Sequence, residues 1–128
     1  MRFPLCILAL ATLNFMPADS ARAGSDATYP VAEIVTFHLN SDVTQDAFLN
    51  AARATDSIVR AAPGFISRQL SKGEDGRWTD YILWQSMQDA KAAAQTVIKQ
   101  PEFAAFGQAI DFESIVMRHE LVKWQMQQ

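Results

Sequence analysis

Residues 63–86 read PGFISRQLSKGEDGRWTDYILWQS, and their punctuation decides the fold. Pro63-Gly64 stops the helix before them, because proline lacks a backbone donor and glycine accepts the positive φ that helix ends often need. Phe65 to Ser71 reads as a strand, Lys72-Gly73-Glu74-Asp75-Gly76-Arg77 as a polar turn, and Trp78 to Gln85 as the returning strand of a hairpin. Ser86, with Asp89 three residues on, opens a new helix by a capping-box-like start.

Upstream of this hairpin, Phe48, Ala51, Ala52, Thr55, Ile58, Val59 and Ala62 recur at three- and four-residue spacing, which predicts one amphipathic helix from about Thr44 to Ala61. Before it, Val31 to Leu39 is β-prone with apolar residues at both parities, a strand expected to be buried on both faces. Downstream, the alanine-rich helix should end near Gln100. Pro101 can open a short further helix edged by Phe103, Phe106 and Ile110, and Phe112 to Lys123 is the last strand. The order strand, helix, strand, strand, helix, strand specifies an α+β domain of the split β-α-β type (βαββαβ), a four-stranded antiparallel sheet with helices on one face. An apolar opposite face left bare would be an aggregation liability, so pairing into a homodimer is expected.

The first 23 residues do not belong to this domain. Arg2 supplies a positive start, Phe3 to Met16 is mostly apolar, and Ala21-Arg22-Ala23 has small residues where a signal peptidase reads. Export to the periplasm or the outside, with cleavage after Ala23, is the expectation. The apolar run includes Asn14 and is shorter than the roughly 20 residues that a bilayer core requires, so no stable membrane anchor is expected after cleavage. Residues 24–30 form a polar lead-in, 31–123 the domain and 124–128 a tail. Cleavage would remove Arg2, Arg22 and Asp19, turning the full chain's net charge of −3 into about −4. That balance does not favour nucleic acid or an anionic membrane. It would also remove Cys6, the sole cysteine, and with it any disulfide, thiolate metal site or cysteine nucleophile.

The polar residues of the strands are the candidates for chemistry. Residues two apart on a strand share a side, so Thr36 and His38, Arg68, Tyr81 and Gln85, and His119 would form one polar cluster if the strands were in phase. His38 and His119 could move protons, Tyr81 could donate to an oxyanion, and Arg68 could hold an anionic or phenolate group. The plainer alternative is that these groups satisfy one another in a dimer core. Trp84 and Trp78, at even spacing on one strand, could join Phe37 and Phe65 in an aromatic wall for a planar ligand, or could simply pack the core. Two histidines on separate strands near Glu33 or Glu120 lack any zinc-site spacing, and no metal site is assigned. Gly64, Gly73, Gly76 and Gly107 are isolated, so no phosphate cradle is present.

The element order, the Pro63-Gly64-Phe65 junction, Trp84-Gln85-Ser86 before the second helix and the later Pro101-Glu102-Phe103 resemble the dimeric α+β barrel superfamily, and within it the antibiotic-biosynthesis-monooxygenase domain. The resemblance runs from about Val31 to Val122. It implies a ferredoxin-like protomer whose sheet pairs with a second copy, and a ligand pocket between sheet and helices that includes the tryptophan matching Trp84. It further implies monooxygenation without a cofactor, in which an electron-rich small aromatic or quinol-like substrate itself reduces oxygen, with Trp84 shaping the pocket; from the strand residues, His38, Tyr81 or Arg68 would be the ones to assist deprotonation. A non-catalytic small-molecule-binding or stress-related barrel is the alternative. Haem-binding relatives place a histidine where this chain has Ala93, and their histidine after the proline is Glu102 here, so haem degradation is disfavoured. The asparagine of the quinol-oxidising relatives has no counterpart beyond Asn40, at a strand end.

Overall fold

The computed structural model describes residues 29–128, so the expected leader and most of the lead-in lie outside the described residues. In chain order the elements are β1 Val31–Phe37, α1 Gln45–Ala54, α2 Asp56–Ala61, β2 Phe65–Lys72, β3 Trp78–Trp84, α3 Met87–Val97, α4 Ala104–Ala109 and β4 Val116–Leu121. The four strands form one antiparallel sheet in the order β2-β3-β1-β4, the ferredoxin-like arrangement, with the helices on one face. Among the described residues no helix is long and apolar enough to cross a membrane.

Local chemistry explains most boundaries. Thr44 accepts the Ala47 N–H at 3.2 Å to start α1, and Ser86 accepts the Asp89 N–H at 3.1 Å to start α3. The hairpin turn closes through Gly73 N–H to Arg77 O at 2.8 Å, with Gly76 at φ 81°. Most other boundaries shift by one to three residues, and two departures from the sequence expectation have clear structural causes. The single helix predicted over 44–61 breaks at Thr55, whose N–H reaches Ala52 O rather than the carbonyl four residues back. The strand predicted from Phe112 begins only at Val116. Phe112–Ser114 instead makes one 3₁₀ turn, in which Ser114 Oγ donates to Asp111 O at 2.6 Å and accepts the His38 N–H at 2.8 Å. That turn fastens the approach to β4 onto the end of β1.

The register sorts the sheet into rows. Leu121, Val31, Trp84 and Phe65 face each other across the four strands, then His119, Glu33, Ile82 and Arg68, then Met117, Val35, Asp80 and Leu70. All of these lie on the helix-covered side. Ala32, Ile34, Tyr81 and Leu83 lie on the other side, where Ala32, Ile34 and Leu83 form a small buried cluster with Tyr81 and Val122 packed against it. A β-bulge between Phe65 and Ser67 shifts the parity of β2, which lets both Phe65 and Arg68 face the helices.

Beneath the helices the core has two lobes. In one, Phe48 of α1 meets Trp78, Phe106 and Phe37 at ring-centroid distances of 4.8, 5.3 and 5.7 Å. In the other, Trp84, Val31, Val59 and Ile82 pack against Ala90 and Ala93 of α3. Gly64 anchors the start of β2 close to α3: its φ is 81°, its carbonyl accepts the Gln85 N–H at 2.8 Å, and a Cβ built on it would collide with the Asp89 carboxylate. Gly76 has the same φ, but nothing lies within 4 Å of its would-be Cβ. Urea unfolding should therefore show Gly76→Ala losing about 1 kcal/mol from backbone strain. Gly64→Ala should lose distinctly more; equal losses would mean that Asp89 swings aside at no cost to the α3 cap.

Candidate functional site

A cavity of about 530 Å³ lies between the sheet and the helices, at the junction of the two core lobes. Phe37, Trp84, Phe103 and Phe106 give it aromatic walls, and Ala93 and Val97 of α3 line it with smaller apolar groups. Phe112 and Ile98 line it while remaining 83% and 56% exposed, which puts them at its mouth. Its polar groups, Glu33, Arg68, Asp80 and Thr55, converge from the floor and the α1–α2 break.

The floor is a pair of buried polar clusters. Arg68 clasps Asp80, with Nη2 to Oδ2 at 2.7 Å and Nε to Oδ1 at 3.0 Å, and the side chains are 11% and 6% exposed. Arg68 Nη1 donates to Thr55 Oγ1 at 2.6 Å, Thr55 donates onward to Ala52 O at 2.6 Å, and the guanidinium lies 5.1 Å from the Phe106 ring centroid. In the second cluster His119 Nε2 and Glu33 Oε2 are 2.8 Å apart, with the side chains 20% and 7% exposed. Burial pushes the Glu33 carboxyl above its ordinary 4.5; the hydrogen bond and charge of His119 oppose that rise, the Asp80 charge adds to it and the Arg68 charge opposes it. The Trp84 indole N–H has no hydrogen-bond partner among the described residues, an orphaned buried donor that costs about 1–3 kcal/mol unless something meets it.

The residues expected to form one polar cluster are divided by the register. Arg68 and His119 lie on the helix side, whereas Thr36 and Tyr81 lie on the other, because Tyr81 pairs with Ile34 and Gln69 rather than with Glu33. His38 and Gln85 lie just beyond β1 and β3; the backbone of His38 binds Ser114 and Asp111, and that of Gln85 binds Gly64. The four aromatic residues Phe37, Phe65, Trp78 and Trp84 do share the helix-covered face. Only Phe37 and Trp84 reach this cavity, since Trp78 is packed against Phe48, and Phe65 lines a separate groove of about 410 Å³ beside β2. Sequence reasoning missed Asp80 and the polar role of Thr55, and weighed Glu33 only as a metal neighbour. The available signal was an acidic residue in mid-strand, in VAEIVTF and WTDYILW, since a buried carboxylate requires a partner. Among the described residues no three His, Cys, Asp or Glu side chains are grouped to hold a metal ion.

Solved structures share this fold. A protein assigned as an antibiotic biosynthesis monooxygenase from Bordetella bronchiseptica superposes with a TM-score of 0.66 at 15% identity, over 76% of this chain and 100% of that one. A protein with the same assignment from Nitrosomonas europaea gives 0.59 at 16%, over 76% and 93%. SnoaB, a cofactor-independent oxygenase from Streptomyces nogalater, gives 0.53 at 16%, over 78% and 97%. No protein-family model matches the sequence, and no curated protein does. At these identities the likeness is one of fold: the chain has the α+β, ferredoxin-like architecture of antibiotic-biosynthesis-monooxygenase domain proteins.

Arg68→Ala would strand Asp80 in the interior and should cost about 3–5 kcal/mol in unfolding free energy, with Arg68→Lys restoring little because a single ammonium cannot replace the fork. Glu33 acts in the opposite sense on stability. Its folded carboxyl keeps its proton to higher pH than the unfolded one, so its contribution is complete below 4.5 and is lost as pH rises through the folded value. From pH 4.5 upward, Glu33→Gln should lose less stability than the wild type in denaturant titrations; parallel curves would contradict the raised carboxyl.

Proposed function

We propose that this chain is an exported, homodimeric α+β barrel protein that binds a small planar aromatic molecule in the cavity between sheet and helices and oxygenates it without a cofactor. The observation that carries the reading is the cavity itself: about 530 Å³ with aromatic walls, a few convergent polar groups at its floor, and an unpaired indole N–H on a lining residue. An electron-rich substrate is its own reductant. Oxidation of an aromatic CH₂ to C=O by O₂ places one oxygen atom in the product and releases the other as water, which balances all four electrons. In this reading Trp84 donates its N–H to a ligand oxygen, and Arg68, already neutralised by Asp80, supports the floor. His38 and Tyr81 were the other candidates for deprotonation, and neither lines the cavity. That observation favours the second reading, a barrel that binds the same ligand class without turning it over.

Pairing has its own support. β4 is an edge strand on which Val116, Met117 and Leu121 are half-exposed, and Trp124 and Met126 of the tail are more exposed still. Native mass spectrometry of the exported protein should give twice the mass of a chain beginning at Gly24. A monomer would remove the dimer from the proposal, and a retained leader would remove the cleavage.

Anthrone in air-saturated buffer tests the chemistry. Oxygen uptake matched one-to-one by anthraquinone, above the buffer rate, is expected; quenching of tryptophan fluorescence without uptake would select the binding reading. Trp84→Phe keeps a ring but loses the donor, and should weaken anthrone binding roughly fivefold, equivalent to about 1 kcal/mol.

A further inference from the structure

Glu33 is an unusual residue to find beneath an aromatic cavity. Its side chain is 7% exposed, and it lines the cavity from the central strand β1. One carboxyl oxygen, Oε2, is held by His119 Nε2 at 2.8 Å, and no hydrogen bond within the described residues engages Oε1. Trp84, whose buried indole N–H is orphaned, belongs to the neighbouring row of the sheet and lines the same cavity.

We infer that Glu33 is the general base of this site: its free Oε1 takes a proton from a cavity-bound aromatic ketone or phenol, while His119 positions the carboxylate from behind. The inference rests on the proposed small-molecule cavity and assigns the proton acceptor within it. The ligand's C–H or O–H bond breaks, its electron pair stays on the ligand as an enolate or phenolate, and a new O–H bond forms at Oε1. The negative charge develops on the ligand oxygen, where the Trp84 N–H supplies a donor. No oxidant enters this step, and the proton returns to the ligand or exchanges with water.

The charged surroundings pull the Glu33 carboxyl in both directions. Burial raises the Glu33 carboxyl, and His119 and Arg68 draw it down against the repulsion of Asp80. The helices that line the cavity contribute Thr55, Val59, Ala93, Val97 and Phe106 among others, and no titratable side chain. His119 is therefore a positioning residue that also tunes the base: it touches Glu33 and does not line the cavity.

Proton transfer can be read apart from oxygenation by following hydrogen–deuterium exchange of the anthrone methylene by NMR in D₂O under anaerobic conditions, with the full chain. The wild type should exchange well above the buffer rate. Glu33→Gln should lose at least tenfold of the excess while retaining its circular dichroism and its quenching by anthrone, and Glu33→Asp should recover part of it. His119→Ala should move the acidic limb of the exchange profile to higher pH, because burial then acts on Glu33 without the opposing histidine. Full exchange in Glu33→Gln, or binding without exchange in the wild type, would overturn Glu33 as the base and leave the cavity standing. An unmoved acidic limb in His119→Ala would overturn the role of His119. Exchange without oxygen uptake would support the base and count against the oxygenase reading alone, whereas absence of anthrone binding would overturn both.

Discussion

Arg68 has to be neutralised inside the molecule, and much of the surrounding structure follows from how that is done. A guanidinium with its side chain 11% exposed needs a carboxylate and acceptors for its remaining protons, or the desolvation cost is prohibitive. Asp80 on the adjacent strand supplies the fork, and Thr55 supplies an acceptor from the helical layer. To present its hydroxyl there, Thr55 sits at the point where α1 gives way to α2, and its own proton goes back to Ala52. One charge therefore ties β2, β3 and the broken first helix together, and it does so at the boundary between the two apolar lobes.

That boundary is where the empty volume lies. Polar groups cannot be packed over as tightly as methyl groups, and α3 faces them with alanines at 93 and 94, which fill little space. The result is an aromatic cavity floored by paired polar groups, with Glu33 held by His119 on one side and Arg68 by Asp80 on the other. Three of the four polar residues are paired strand to strand along the sheet, which is more rigid support than loops would give and keeps the donor and acceptor positions fixed relative to the walls.

The architecture was legible because punctuation and periodicity are local. Pro63-Gly64, the Gly73–Gly76 turn and the Ser86 cap each set a boundary by themselves, and the elements stand in the order they imply. The site was less legible because it depends on relations between strands. Alternation told that Thr36 and His38 share a side, and that Phe37 does not share it, but only the pairing of Ile34 with Tyr81 and of Glu33 with Ile82 decides which residues of β3 join them. Thr55 kept the helical spacing, so periodicity gave no sign of a break; the cause is a tertiary partner 13 residues away. Glu33 and Asp80 carried the one overlooked local signal, since each is the sole charged residue of its strand.

The bulge in β2 has a consequence for how such chains can diverge. The additional residue between Phe65 and Ser67 puts the aromatic ring and the arginine on the same side although they are an odd number of positions apart. A descendant that dropped Ile66 would bring the ring and the arginine two positions apart and keep both inward, whereas one that kept Ile66 but lost the bulge would restore plain alternation and could keep only one of them there. It would have to surrender the ring against Trp84, at a 6.0 Å centroid separation, or else move its cation one position along to meet Asp80. The bulge in this strand is thus coupled to the position of the buried cation, and beyond the loss of Ile66 itself β2 should tolerate insertions and deletions at its hairpin end far more readily than near its beginning.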